Sequence, residues 1–423
     1  MLYRFTESPM SIHSRLLLGS IGILALLGCS SSDTSYGPSS TYLVNAIAVA
    51  DIDSNGLPDI LGVVSTDFGG NPTQGYVSTR LQSSAGTFVM PTRFGVGKSP
   101  ANLVVQDVNG DGRSDLVVAN ADDQTVSVRL ADPSRPGFFL PATLLATPGR
   151  IPLDVAVGDV NGDGLMDIVV ASGFEVSITS VPTPAPTVLV FQQVSPIAPT
   201  PNSVSFSAPV AYLVGGGPQT VTVGDLDGNG LADIAVATSA NSVSVLLQTS
   251  AGTFAPAVDY ATGVQPVAIR AADVNGDGKL DLLTANFGAS LSPGTQGLSV
   301  LIQGAPGTFA APVHYTTGYR AVALAVGDLN ADGKPDVVVA CEGLPGDPGV
   351  VSVFLQTPPA AASPGVFVGA VNYRGVYGPM GVAIADMDGD GRPDLVLADG
   401  DIVVRLNSAT TLGTFGPPNF FYN

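Results

Sequence analysis

An all-β fold, a seven-bladed propeller of four-stranded antiparallel blades, is predicted by three observations. A nine-residue loop of Asp, Asn and Gly recurs seven times, its starts 48 to 66 residues apart. Each copy lies between short apolar runs, such as "VAVG" before and "DIVVA" after, which are separated by Gly, Pro, Asn and Asp as strands are. Across 423 residues, Gly 51 and Pro 34 with only 12% charged residues describe many turns, and the Val, Ile and Thr content favours strands. A repeat of this period belongs to propellers or solenoids. Solenoids usually have shorter coils and modified terminal units, and neither end here looks modified.

Taken in order, residues 1–28 read as a lipoprotein signal peptide. Arg4 and Arg15 precede "LLLGSIGILALLG", which is short for a membrane span and suits a secretory apolar region, with Met10 as an alternative start. The stretch ends in "LLGC", residues 26–29, which resembles a bacterial lipobox, so Cys29 is the expected lipidation site. Residues 29–40, "CSSSDTSYGPSS", form a Ser-rich tether, and residues 41–423 form the propeller. With Cys29 lipidated, Cys341 has no partner for an internal disulfide, so the exported domain needs another source of stability.

The loops begin at Asp51, Asp107, Asp159, Asp225, Asp273, Asp328 and Asp386. Position three holds Asp53, Asn109, Asn161, Asp227, Asn275, Asn330 and Asp388. Position five holds Asn55, Asp111, Asp163, Asn229, Asp277, Asp332 and Asp390. Position nine is again Asp in every copy: Asp59, Asp115, Asp167, Asp233, Asp281, Asp336 and Asp394. The loop opens like an EF-hand, yet the twelfth position counted from Asp159 is Val170, inside an apolar run, where an EF-hand needs glutamate. Alternate hard oxygens suit calcium, which takes six to eight of them, and Gly at position six suits the positive φ needed to wrap a cation. Position seven is expected to offer only its backbone carbonyl, leaving its side chain unconstrained. Six loops carry three carboxylates and the last carries four; together they hold 22 of the chain's 35 acids, so the net charge of −19 is concentrated at sites. One such loop reads equally as an Asx-turn hairpin, but seven with the same positions do not.

After each loop come a third run, such as "VSVRL" at 126–130, and a segment built like "SAGTFAPAVDYATG" at 250–263. That gives four strands per unit. The first unit starts at its loop-preceding strand near Tyr42 and the seventh ends in its fourth strand near Tyr422. No strand is therefore exchanged between the termini, and closure is expected to rest on packing of blade 1 against blade 7.

On these seven loops and their flanking runs, residues 41–423 resemble FG-GAP/VCBS repeats, the family that builds the integrin α-subunit propeller and many bacterial surface proteins. The resemblance implies that each loop joins the first two strands of a blade and binds calcium, up to seven ions in all. It also implies extracytoplasmic binding or adhesion.

The residues give little support to catalysis. Past the signal region His314 is the sole histidine, in "APVHYTTG", where another copy has Asp259; no nucleophile elbow or Cys/His metal spacing is present, and "GVGKS" at 95–99 lacks phosphate-loop spacing. Lys and Arg total 16 without a cluster, which argues against nucleic acid. The expected function is a monomeric, calcium-stabilised binding module for a protein partner, lipid-anchored in the bacterial cell envelope with the outer membrane or cell surface favoured. Carbohydrate binding is the alternative, weakened by Trp 0, and a polysaccharide lyase a lesser one. The recurrent Phe88, Phe254, Phe309 and Phe415 read as core positions of fourth strands. Connections between second and third strands vary most in length; those of blades 1, 3, 5 and 6 are long and supply the candidate partner-binding residues Asp67, Phe68, Phe174, Glu175, Phe287 and Glu342.

Overall fold

The computed structural model describes residues 42–68, 71–72, 74–174, 185–194, 203–288, 297–344, 348–356 and 367–421. They form seven antiparallel blades, each with four principal strands in sequence order, and no helix occurs among them. The first strands are Tyr42–Ala50, Pro100–Gln106, Arg150–Gly158, Pro218–Gly224, Pro266–Ala272, Ala321–Gly327 and Gly381–Ala385. Each is followed by one Asp-rich loop, and the Asp at position nine opens the second strand in every blade: Asp59–Phe68, Asp115–Asn120, Asp167–Phe174, Asp233–Thr238, Asp281–Asn286, Asp336–Cys341 and Asp394–Asp399. The signal region, Cys29 and the tether lie outside the described residues.

Burial follows strand order. Second strands such as Asp115–Asn120 and Asp281–Asn286 are buried along their whole length, which is why they read as unbroken apolar runs. Fourth strands such as Val258–Ala261 are largely exposed. There is no single core; apolar clusters lie between successive blades. Leu103, Leu116 and Val118 of blade 2 pack on Leu61, Val63 and Val77 of blade 1, and the series continues around the ring. The last seam joins Ile60 of blade 1 to Met387, Val396 and Val404 of blade 7. Blade 1 is built wholly from residues 42–98 and blade 7 from residues 381–421, so the ring closes by packing with no exchanged strand, as the phasing predicted. Pro100, Pro152, Pro218 and Pro266 sit at register shifts near the start of first strands, an edge position where a missing N–H costs least.

The recurrent phenylalanines are placed differently from the sequence expectation. They lie in short hairpins between third and fourth strands, pairing back on the second residue after the third strand: Phe88 on Gln82, Phe254 on Gln248, Phe309 on Gln303, Phe415 on Asn407. Their role is to join blades. Tyr212 of blade 3 meets Phe254 of blade 4 edge to face at 5.0 Å, and Tyr260–Phe309 and Tyr373–Phe415 repeat the contact at 5.3 and 5.5 Å.

Candidate metal centres

In the third loop, Asp159 Oδ1 accepts the N–H groups of Gly162 and Asp163 at 2.6 and 3.2 Å, and Oδ2 accepts that of Gly164 at 2.8 Å. Asn161 Oδ1 accepts from Asp163 N at 2.9 Å and Asp163 Oδ1 from Leu165 N at 2.8 Å. The same bonds recur in the loops at Asp107, Asp225, Asp273 and Asp386, for example Gly112 N to Asp107 Oδ2 at 2.7 Å and Gly278 N to Asp273 Oδ2 at 2.8 Å. Backbone amides therefore fix the acids at positions one, three and five from behind. Asp159 Oδ2, Asn161 Oδ1 and Asp163 Oδ1 each accept one such bond and keep a second lone pair for a ligand.

Position nine is held more firmly. Asp167 is fully buried; its Oδ2 accepts from Val160 N at 3.0 Å and its Oδ1 from Gln193 N at 2.7 Å, tying the loop to the end of the third strand. Asp59, Asp115, Asp233, Asp281, Asp336 and Asp394 do the same in their blades. Burial, with the neighbouring loop carboxylates adding to it, pushes the carboxyls of Asp59, Asp167, Asp233, Asp281 and Asp336 up to about 6; Asp115 reaches the same value, and Asp394 is raised too.

Wrapping the loop takes two left-handed residues, not one. Position six is Gly throughout, at φ 81 to 85°. Position four is left-handed as well: Gly in five loops, but Ser54 at 61° and Ala331 at 59° in the other two. The residues present fit a hard cation. In the loops at Asp51, Asp225 and Asp386, the carboxylate oxygens of positions one, three and nine lie within 4.8 Å of one another, a mutual repulsion that a divalent ion converts to ligation. In the other loops Asn replaces Asp at position three; the amides of Asn109 and Asn161 donate to Asp111 and Asp163, both at 3.1 Å, and that of Asn330 to Asp332 at 3.4 Å.

Position seven departs from its expected indifference. Arg113 Nη2 lies 2.8 Å from Asp111 Oδ2, Arg392 pairs with Asp390, and Lys279 Nζ lies 3.8 Å from Asp277 Oδ2. Position two went unread in the sequence: Ile52, Val108, Val160, Leu226, Val274, Leu329 and Met387 are all buried, pinning the loop to the inter-blade core. Also unread was the residue that ends each third-strand run. Gln248 Nε2 donates to Val160 O of the preceding blade at 2.5 Å, Gln82 Nε2 to Met387 O at 2.8 Å across the closing seam, and Asn407 Nδ2 to Leu329 O at 2.8 Å. Gln303 and Gln356 reach Leu226 O and Val274 O likewise, and Gln193, with its amide turned to donate, reaches Val108 O at 3.0 Å. The signal lay in "RLQ", "FQQ", "LLQ", "LIQ", "FLQ" and "RLN"; blade 2 alone has "RLA", and there Gly137 N bonds Ile52 O at 3.2 Å, as Gly86 N and Gly307 N bond Met387 O and Leu226 O beside the glutamines of their blades.

Of the candidate partner-binding residues, Phe287 and Glu342 follow second strands, on the face opposite these loops, and the structure brings these two together. Arg320 stands over the Phe287 ring at 5.1 Å and pairs with Glu342 Oε1 at 3.3 Å. Tyr377, 71% exposed, adjoins Gly378, where an added Cβ would lie 3.8 Å from Glu342; its N–H is held by Asp399 Oδ2 at 2.7 Å. Asp67 and Phe68 extend the second strand of blade 1 to pair with Asn71–Pro72, and Phe174 ends that of blade 3; their side chains, and Glu175 entirely, lie outside the described residues.

A family model described as FG-GAP-like repeat matches residues 107–170, 225–284 and 289–339, which contain five of the seven loops. No curated protein matches the chain. Among solved structures, BBS1N in complex with ARL6DN, soaked with lead, aligns with a TM-score of 0.51 at 12% identity over 88% of this chain and 94% of that one, a likeness of fold alone. A mercury-soaked crystal of the same complex aligns at 0.49 and 12% identity over 87% and 93%. Fold, loop geometry and family match agree: the chain is a seven-bladed β-propeller that carries FG-GAP-like repeats.

Proposed function

We propose that this chain is a calcium-stabilised binding module of the bacterial cell envelope, anchored by lipid at Cys29 and recognising a protein partner through the connections opposite its metal loops. The observation that carries the reading is the set of loops itself: acids and amides held by backbone donors and, in each of three loops, one oxygen from each of three carboxylates within 4.8 Å of one another. Seven such loops serve as staples in a domain whose described cysteine, Cys341, is buried, unpaired and raised to about 11 by burial. FG-GAP-like repeats are typically extracellular, which accords with export, and no helix of the described residues is long and apolar enough to cross a membrane.

Binding is favoured over catalysis. His314 Nδ1 lies 3.0 Å from Ser299 Oγ, a pair that resembles a nucleophile and base. The same strand positions hold Ser244 with Asp259 and Ser352 with Asn372, so the bond belongs to the blade repeat and not to a reaction. Protein is favoured over sugar because the repeated aromatics turn toward neighbouring blades. Labelling with a palmitate analogue should tag the wild type and not Cys29→Ala, and pull-down from the cell envelope beside a glycan array separates protein from sugar. A label retained by Cys29→Ala removes the anchor; glycan binding without a protein partner removes the protein reading.

A further inference from the structure

We infer that the side chain at loop position seven sorts the metal centres into two affinity classes, four tighter and three weaker; this rests on the calcium reading above. The loops at Asp51, Asp159 and Asp225 carry three carboxylates and a leucine at position seven, Leu57, Leu165 or Leu231. Those at Asp107, Asp273 and Asp328 carry three carboxylates and a cation there, Arg113, Lys279 or Lys334. The last loop has four carboxylates with Arg392. Net charge at the ion's position is therefore −3 in four loops and −2 in three.

The cation is more than nearby charge. Arg113 Nη2 engages Asp111 Oδ2 at 2.8 Å, on the carboxylate whose other oxygen accepts Arg113 N at 2.9 Å. Both oxygens of a prospective ligand are thus already hydrogen-bonded, one of them to a full positive charge. Lys279 Nζ, 3.8 Å from Asp277 Oδ2, is drawn toward Gly304 O at 2.7 Å. In the two loops with Asn at position five no cation is present, and the amide takes the equivalent outward bond, Asn55 Nδ2 to Gln82 O at 2.7 Å and Asn229 Nδ2 to Gln248 O at 3.2 Å. Outer partners of this kind tune metal affinity through the ligand they hold. In the last loop Arg392 occupies Asp390 where no amide is available, and offsets the fourth carboxylate.

One unit of charge this close to a divalent ion at a protein surface is worth about tenfold in affinity. Calcium titration of the full chain, stripped with chelator, should resolve four tighter and three weaker sites about tenfold apart, and added salt should narrow the gap. Arg113→Leu combined with Lys279→Leu should move two sites into the tight class, Arg113→Lys should move none, and Leu231→Lys should move one site out of it. Melting in chelator confirms that each variant is folded. Seven ions bound in one class, with class sizes unchanged in the Leu and Lys variants, would overturn the sorting and leave calcium binding intact. No bound calcium would remove the metal reading and this inference with it.

Discussion

On the face of the Asp-rich loops, seven copies of one nine-residue sequence follow one backbone path; on the opposite face, the connections of blades 1, 3, 5 and 6 share neither length nor composition with those of blades 2, 4 and 7. Within those loops Ser54 and Ala331 adopt a left-handed conformation that costs a side chain about 1–2 kcal/mol, as Gln124 and Asn241 do in connections of the opposite face. On the second, contacts such as Arg320 over Phe287 occur once. One face repeats because packing between blades requires it; the other takes connections of different length while still carrying bonds between blades, such as Lys98 N to Asp123 Oδ2 at 2.8 Å.

Metal removal should separate the faces most strongly. Each ion at a hundredfold excess over its Kd stabilises the folded chain by about 2.7 kcal/mol, so chelator should lower the melting temperature markedly. An unchanged melting curve would reduce the loops to turns. Next in size, Asp281→Ala strands the N–H groups of Val274 and Gln303, each worth about 1–3 kcal/mol when buried without a partner. It should cost several times more than Phe287→Ala, whose loss is the contact with Arg320, about 0.5–1 kcal/mol. Phe287→Ala should weaken partner binding and leave calcium-dependent melting alone. The opposite ranking would show that the wrong face was chosen. Within a loop, Asp163→Ala should cost more than Asn161→Ala, since it removes charge as well as an oxygen.

Acidity sharpens the contrast further. The buried carboxyls of Asp59, Asp115, Asp167, Asp233, Asp281 and Asp336 stand at about 6, above their unfolded value, and that of Asp394 is raised too. The folded chain therefore holds more protons than the unfolded one across the interval, and stability falls as pH rises from about 4 through about 6. Melting in chelator should follow that fall. With calcium present, deprotonated oxygens are the ligands and the fall should disappear. A metal-free chain whose melting rises over this interval would contradict the burial of Asp167 and its counterparts. The smallest effect is a gain: Ala331→Gly should raise stability by about 0.5 kcal/mol, and Ser54→Gly similarly, as relief of left-handed strain is partly offset by the greater unfolded-chain freedom of glycine.

Loops, blades, their number and the unswapped closure were legible in the sequence because each is written in one contiguous stretch: "DVNGDGLMD" between two apolar runs specifies a strand, a turn and a strand. What was not legible joins different blades. Gln248 and Val160 are 88 residues apart, and Gln82 and Met387 are 305 apart, so local periodicity says nothing of their bond. The phenylalanines were assigned to the wrong element for the same reason, since their partners are tyrosines of the preceding blade. Position seven was misread because a backbone ligand was expected to leave its side chain idle, while Arg113 folds back on Asp111.

The chain enters the propeller at Tyr42, the start of an innermost strand that runs toward the first metal loop at Asp51. Its point of entry is therefore near the ring axis, on the face away from the metal loops. The twelve residues 29–40 can span roughly 40 Å at full extension. A lipid at Cys29 would hold the variable connections within that distance of the bilayer and point the seven metal loops outward to the medium. A partner of Phe287 and Tyr377 would then have to be a membrane neighbour, or slender enough to enter the gap.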